Sequence, residues 1–156
     1  MENEISKKEI RNLISESCPL ILDIGCYDGS DGADIAALFG CAEVHCFECD
    51  PRSIKLFKEH HSDNSDLFLH EFALGKVNGK IGFYQSDSPT RRHYLDQTSW
   101  SASSSTKEPK KHLSLFPDVT FPKKIKVECQ TLDFWYENNI NDEVIDFIWA
   151  DVNGGE

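Results

Sequence analysis

The 156-residue sequence lacks the features that mark membrane and secreted proteins. It contains no run of about 18 apolar residues, so we predict no transmembrane helix. The N-terminal stretch carries charged residues throughout and lacks the apolar core that a signal peptide needs. We therefore expect a soluble, cytoplasmic protein of a length that suits one domain.

Positive charge is also scarce. Lysine and arginine together number 16 against 27 acidic residues, which gives a formal net charge of −11. A sequence-independent nucleic-acid binder needs a basic surface to replace the counterions on phosphate, and docking on anionic membranes needs basic residues too. We expect neither nucleic acid nor a membrane as a partner.

Paired cysteine motifs are nearly absent, although the chain has six cysteines. Cys46 and Cys49 form one CxxC, and no second pair follows at the spacing of a zinc site. Without a secretion signal, disulfides are disfavoured. We predict reduced thiols, most of them buried, and no metal ligands among them.

Strand-like and helix-like segments alternate along the chain. The apolar runs LILDI, VHCF and VIDFIWA are typical of strands that are covered on both faces of a sheet. Helices between such strands form βαβ units with right-handed crossovers. The sequence predicts an α/β fold with a mostly parallel sheet and helices on both faces.

The chain divides into four segments of one predicted domain, residues 1–156. Residues 1–18 form an N-terminal helix in which Ile10, Leu13 and Ile14 share one face. Residues 19–85 form a ligand-binding half, and residues 86–124 form a long loop or lid. Residues 125–156 form a strand, a helix and a last strand. Trp100 and the serines between residues 99 and 105 could line an acceptor pocket, although serine-rich loops are often only loops.

The strongest motif follows the first predicted strand, where ligands bind in open α/β sheets. Its glycines form GxxxGxxG, not the GxGxxG of dinucleotide enzymes. Gly25 allows a sharp turn, and Gly29 allows the backbone to approach a ligand or to pack closely on the next helix. Asp23 precedes them, and an acidic residue there repels a pyrophosphate but suits a cation such as S-adenosylmethionine. Turn formation alone is the alternative interpretation.

A second acidic position follows the next predicted strand. Glu48 lies about 20 residues beyond the glycines, where a carboxylate can accept hydrogen bonds from both hydroxyls of a ribose. A solvated acid at a strand end is the alternative for Glu48. Asp50 is better explained as the cap of a helix that begins at Pro51.

A third carboxylate, Asp151, follows the last predicted strand. We expect it at the same sheet edge as Asp23 and Glu48, where it is a candidate general base or the cap of a following helix. His93 and His112 in the long loop are weaker candidates for a base. His60 and His61 close a helix and are expected to be solvated.

The motifs ILDIGCYDGSDG, VHCFECDP, FALG, VECQTLDFW and IDFIWADVNGGE resemble the FkbM family of class I S-adenosylmethionine-dependent methyltransferases, from about residue 20 to residue 156. The resemblance implies a Rossmann-like fold and methylation of a hydroxyl on a sugar, glycan or polyketide-type metabolite. It implies that the methionine end of the cofactor lies on the glycine loop, the ribose on Glu48, the adenine near residues 71–73 and the acceptor near Asp151. The cofactor-binding residues predicted in this way are Asp23, Gly25, Cys26, Tyr27, Asp28, Gly29, Glu48, Glu71, Phe72 and Ala73.

The chain departs from the family in two ways. Cys26 and Tyr27 stand where the family often has a small residue and then Asn. The family fold also continues with further strands beyond residue 156, so we expect a C-terminally truncated domain whose exposed sheet edge favours association, for example as a homodimer. No metal is required, although acids near Asp151 could hold Mg²⁺. A catalytically silent fragment that acts through protein contacts and a nicotinamide-dependent oxidoreductase are the alternatives.

Overall fold

A computed structural model describes residues 6–93, 99–140 and 142–153, without the side chains of residues 111 and 112. Its strands form two separate sheets that are joined by helices and loops. The strands are β1 (Leu20–Ile24), β2 (Glu43–Phe47), β3 (Leu67–His70), β4 (Ala73–Leu74), β5 (Gly79–Asp87), β6 (Thr120–Gln130) and β7 (Phe147–Ala150). The helices are α1 (Lys7–Leu13), α2 (Ser30–Ala36), α3 (Pro51–His61), α4 (Lys111–Leu115) and α5 (Leu132–Asn139).

The first sheet is parallel and has the strand order β3-β2-β1-β7. Ile24, the last residue of β1, pairs with Phe47 of β2 on one side and with Ala150 of β7 on the other. The three strands therefore end at one level, and the residues that follow them meet at one edge. This arrangement confirms the predicted Rossmann-like α/β fold with a mainly parallel sheet.

Helices cover both faces of the parallel sheet, as predicted. On one face, Ile21 packs in a buried cluster with Ile10 of α1, Ile35 of α2 and Phe57 of α3. On the other face, Leu20 and Leu22 pack with Trp135 of α5. Alternate residues of β1 serve opposite faces because successive side chains of a strand point in opposite directions.

The second sheet has the order β4-β6-β5, with β5 and β6 antiparallel. The segment LFLHEFALG is not a single strand, although its sequence reads as one. Glu71 and Phe72 interrupt it, so β3 stays in the parallel sheet and β4 pairs with β6. Its core of Phe83, Val127 and Cys129 is separate from the two clusters on the parallel sheet.

Local capping explains where the helices begin. Asp50 accepts a hydrogen bond from the backbone N–H of Arg52, with Pro51 in the first turn, which confirms the predicted cap of α3. In α1, Ile10 and Ile14 are buried as predicted. Leu13 is 67% exposed, so the prediction that it shares their face is wrong. At 100° per residue Leu13 lies about 60° from Ile10 and about 100° from Ile14, at the edge of the face that the two isoleucines share.

The prediction of six reduced thiols is wrong for two of them. Cys18 and Cys41 form a disulfide, with their Cα atoms 4.8 Å apart. Each cysteine lies two residues before a strand, Cys18 before β1 and Cys41 before β2. The pairing of Leu20 with Glu43 brings these two segments together. Cys26, Cys46, Cys49 and Cys129 are free and buried. Among the described residues, no helix is both long and apolar enough to cross a membrane.

Candidate functional site

A cavity lies at the carboxyl edge of the parallel sheet, beneath a segment of the long loop. Its empty volume is about 970 Å³, part of it open to solvent. The residues that line it are Ile24, Gly25, Cys26, Tyr27, Asp28, Asp31, Phe47, Glu48, Cys49, Phe72, Ala73, Leu74, Phe83, Ser101, Ala102, Ser104, Ser105, Thr106, Trp149, Asp151, Val152 and Asn153.

Gly25 turns the chain sharply at the end of β1. Its φ is +81°, in the left-handed region that glycine tolerates best. Its N–H and that of Cys26 both donate to the carbonyl oxygen of Phe47, at 2.9 and 3.1 Å. A Cβ on Gly25 would collide with the carbonyl oxygen of Asp151. Glycine is therefore needed both for the turn and for the close approach of the chain that follows β7.

Of the two roles predicted for Gly29, the structure shows close packing against a helix, although that helix is α3 and not the next one along the chain. Gly29 lies outside the cavity lining, and its φ of +84° places it directly before α2. A Cβ at this position would collide with the ring of Phe57. Gly29 thus permits α3 to pack against the loop, whereas Cys26, Tyr27 and Asp28 of the same loop line the cavity.

Glu48 lies half-buried at the end of β2 and lines the cavity. Its carboxylate accepts hydrogen bonds from the backbone N–H groups of Tyr27 at 3.1 Å, Cys49 at 2.6 Å and Asp50 at 2.7 Å. Burial raises the pKa of Glu48 to about 7, although these N–H donors favour the ionised form. A carboxylate has about four acceptor positions, so at least one remains for a ligand.

Asp23 does not reach the cavity. It is the next-to-last residue of β1, is 1% exposed and packs against Gly32 of α2. Burial, together with the negative charges of Asp31 and Glu48, raises its pKa to about 8. The carboxyl group of Asp23 is therefore largely protonated at neutral pH, and it lies outside the described lining of the cavity.

Asp151 follows β7 directly and faces the cavity. Its backbone N–H donates to the carbonyl oxygen of Ile24 at 3.0 Å, which continues the pairing of β7 with β1. The residue is exposed. Residues 154–156, the end of the last sequence motif, lie outside the described residues.

The charged side chains in the described lining of the cavity are all acidic. Four carboxylates belong to its described lining: Asp28, Asp31, Glu48 and Asp151. None of the described lining residues is a lysine, an arginine or a histidine. Lys7 pairs with Asp31 at 2.7 Å from outside the lining. Such a site attracts a cation and repels a phosphate.

The opposite wall of the cavity is apolar. Phe72 and Ala73 line it, as predicted from the sequence, together with Phe47 and Phe83. Glu71 does not line it, because its side chain pairs with Lys58 at 2.6 Å on another face of the molecule. The chain changes direction between β3 and β4. Glu71 therefore points away from the cavity, whereas Phe72 and Ala73 face it.

A network around Asp50 holds part of the long loop over the cavity. Asp50 is 1% exposed and accepts hydrogen bonds from the guanidinium of Arg52, the amide of Gln85 and the hydroxyl of Ser104. Asn153 donates from its amide to the carbonyl oxygen of Ala102 at 3.1 Å. Serines of this loop line the cavity, in line with the role considered for them from the sequence.

The histidines occupy unexpected positions. His93 is fully buried, and its Nε2 lies 2.9 Å from a carboxylate oxygen of Asp28. His60 and His61 are half-buried, so the expectation that they are solvated is wrong. The rings of His60 and His93 stack with their centroids 5.7 Å apart. None of these three lines the cavity. The side chain of His112 lies outside the described residues.

Several lining residues escaped the sequence analysis. They are Asp31, Phe47, Cys49, Leu74, Phe83, Trp149, Val152 and Asn153. Trp149, Val152 and Asn153 flank Asp151, so their position near a strand end was an available signal. Phe83 comes from the second sheet, and no local pattern indicates that this sheet contacts the parallel one.

Comparison with known proteins gives three findings. Residues 23–156 match the family described as the methyltransferase FkbM domain. The chain is 38% identical over 149 residues to the 2-O-methyltransferase NoeI of Sinorhizobium fredii (strain NBRC 101917 / NGR234). That alignment covers 96% of this chain and 59% of the relative, so the chain spans about three fifths of the relative's length.

A solved structure, the precorrin-6y C5,15-methyltransferase of Geobacter metallireducens GS-15, overlaps the chain with a TM-score of 0.35 and 18% identity. The overlap covers 46% of this chain and 41% of that one, which is too partial to assign a function. The family match covers most of the sequence, including the glycine loop, Glu48 and Asp151. The chain therefore belongs to the FkbM methyltransferase domain family.

Proposed function

We propose that this chain is the cofactor-binding part of an S-adenosylmethionine-dependent methyltransferase that acts on a hydroxyl group of a sugar-like acceptor. The observation that carries the proposal is the charge of the cavity, with four carboxylates and no basic side chain in its described lining. S-adenosylmethionine carries a sulfonium and an ammonium but no phosphate. A pyrophosphate-containing nicotinamide cofactor would meet repulsion at every one of these carboxylates.

The residues of the cavity fit the parts of this cofactor. Glu48 has an acceptor position left for a ribose hydroxyl, and the apolar wall at Phe72 and Ala73 offers a surface for adenine. The loop at Cys26 and Tyr27 lies beside the carboxylates that suit the positive methionine end. When bound, S-adenosylmethionine supplies an electrophilic methyl group. No metal ligand is needed for any of these contacts.

The acceptor side of the proposal has a different basis. The name of the NoeI relative describes a 2-O-methyltransferase, and this supports an oxygen acceptor for the present chain as well. Asp151 lies at the cavity edge, where we assign it the role of the base that accepts the hydroxyl proton. Alignment of the acceptor oxygen with the methyl group supplies the larger part of catalysis in a displacement of this kind. A cytoplasmic location and a homodimer stay predictions.

Isothermal titration with S-adenosylmethionine and with S-adenosylhomocysteine tests the cofactor site. We expect Glu48→Gln to weaken binding about 10- to 100-fold, since a lost hydrogen bond to a charged group costs about 1.5–3 kcal/mol. Glu71→Gln is the matched control, because Glu71 belongs to the same sheet edge but lies outside the cavity lining. Equal losses in both variants, or no binding by the folded wild-type chain, would reject the site.

Formation of S-adenosylhomocysteine in the presence of sugar acceptors tests the reaction. We expect Asp151→Asn to lower the turnover rate while leaving the dissociation constant for the cofactor nearly unchanged. Cofactor binding without turnover, on every acceptor and in the full-length protein, would favour the alternative of a silent binding module. Turnover unchanged in Asp151→Asn would remove Asp151 as the base.

A further inference from the structure

We propose that Asp28, His60 and His93 form a binding site for one divalent transition-metal ion of the Zn²⁺ class, behind the wall of the cavity. The three residues come from three parts of the chain. Asp28 belongs to the glycine loop after β1, His60 to the last turn of α3, and His93 to the segment after β5. This site is separate from the acids near Asp151 that the sequence suggested as ligands of Mg²⁺.

The spacing of the three side chains suits a single ion. One ligand atom from each residue can be chosen so that all of these atoms lie within 4.8 Å of one another. Around a tetrahedral zinc ion with bonds of about 2.0–2.2 Å, neighbouring ligand atoms are about 3.4 Å apart. The widest of the three separations would therefore have to shorten by at most about 1.4 Å to reach this spacing. His93 Nε2 and an oxygen of Asp28 are already 2.9 Å apart.

The surroundings of the cluster also fit a metal. Nδ1 of His60 is buried and has no hydrogen-bond partner among the described residues, and an unpaired buried nitrogen is costly unless something binds it. The second oxygen of Asp28 accepts the backbone N–H of Ser30 at 3.0 Å, which fixes the carboxylate in the way that outer-shell contacts fix metal ligands. Two imidazoles and one carboxylate are donors that Zn²⁺ and similar ions accept.

An ion at this position would join three segments that surround the cavity. Asp28 is itself part of the cavity lining, so a bond to the metal would fix the loop on which the methionine end of the cofactor is proposed to lie. His93 would anchor the first part of the long loop, directly after β5. We therefore assign the metal a structural and positioning role, and binding of the metal does not depend on the proposed methyltransferase function.

Titration of chelator-treated protein, with the Cys18–Cys41 disulfide intact, with Zn²⁺, followed by calorimetry, tests the site. We expect one ion per chain, and we expect Co²⁺ to give visible d–d absorption from a low-symmetry site of nitrogen and oxygen ligands. His60→Gln should weaken Zn²⁺ binding by about 100-fold or more, because even a lost outer-shell partner costs about 10–100-fold. His70→Gln is the matched control, since His70 is also half-buried but lies at the end of β3, away from the cluster.

Thermal unfolding gives a second measurement that does not require the buried His93 to be replaced. Zn²⁺ should raise the melting temperature of the wild type and of His70→Gln but not that of His60→Gln. The proposal is overturned if the wild type binds no Zn²⁺, or if His60→Gln and the wild type bind it equally. If the wild type binds Zn²⁺ but does not bind S-adenosylmethionine, only the proposed function is rejected. The failure of the metal site and the failure of the proposed function can therefore be told apart.

Discussion

Asp23 gives the most quantitative prediction, because it is a carboxyl group buried in the core of the parallel sheet. Its pKa is raised from 3.8 to about 8, first by burial and then by the charges of Asp31 and Glu48. Between these two pH values the folded chain holds a proton on Asp23 that the unfolded chain has released. The free energy of unfolding therefore falls as the pH rises through this window.

The magnitude follows from the width of the window. Each unit of pKa shift is worth about 1.36 kcal/mol, so the change over the full window has an upper limit of about 6 kcal/mol. The stabilising contribution is complete below pH 4 and is lost by about pH 8. Glu48 adds a change of the same sign up to about pH 7, because its pKa is raised as well.

The variant Asp23→Asn isolates the contribution of Asp23 to the pH dependence of the free energy of unfolding. Its amide is neutral at every pH, so the stability of the variant relative to the wild type should increase from pH 4 to pH 8 and then become constant. Urea denaturation at each pH, followed by circular dichroism, measures this difference. Asp63→Asn is the control for the loss of a carboxylate outside the core, since Asp63 is exposed. A flat difference for Asp23→Asn would refute the reasoning.

Three further predictions concern stability. Gly25→Ala should lower it by at least about 1–3 kcal/mol, because alanine is strained at a φ of +81° and its Cβ meets the chain after β7. Asp50→Ala should cost up to about 3–5 kcal/mol by leaving the buried donors around it unpaired, and limited proteolysis should then cut the serine loop faster. Reduction of the Cys18–Cys41 disulfide should cost about 3 kcal/mol, since it closes a loop with a sequence separation of 23.

Each of these three has its own control. Gly40→Ala should be close to neutral, because no atom lies within 4 Å of the position of its Cβ. For Asp50, an unchanged proteolysis rate in the alanine variant would show that the network does not hold the loop. For the disulfide, a melting temperature that stays the same in dithiothreitol would contradict the expected stabilisation.

The parallel sheet and part of the site followed from local patterns in the sequence. Continuous apolar runs identify strands that are covered on both faces, and the residues after such strands must meet at one edge. Gly25, Glu48 and Asp151 are placed by this rule, and all three line the cavity. Asp23 lies outside the cavity lining because it precedes Gly25 by two residues, inside the strand, where its side chain points to a covered face of the sheet.

Contacts between distant parts of the chain were out of reach of this reasoning. Phe83 reaches the cavity only because β4 leaves the parallel sheet to pair with β6. The contact of His93 with Asp28 spans 65 residues, and neither side chain has a neighbouring pattern that indicates the other. The break of the chain at Glu71 is also set by packing between the two sheets, since the segment reads as one continuous strand.

A crystal structure of the chain with S-adenosylhomocysteine tests the central claim most directly. The account predicts that the ribose hydroxyls lie within hydrogen-bonding distance of the Glu48 carboxylate and that the adenine lies against Phe72 and Ala73. The homocysteine end should then lie on the loop at Cys26 and Tyr27, with Asp151 facing the sulfur. A ligand bound outside this cavity, or one that leaves Glu48 without a contact, would contradict it.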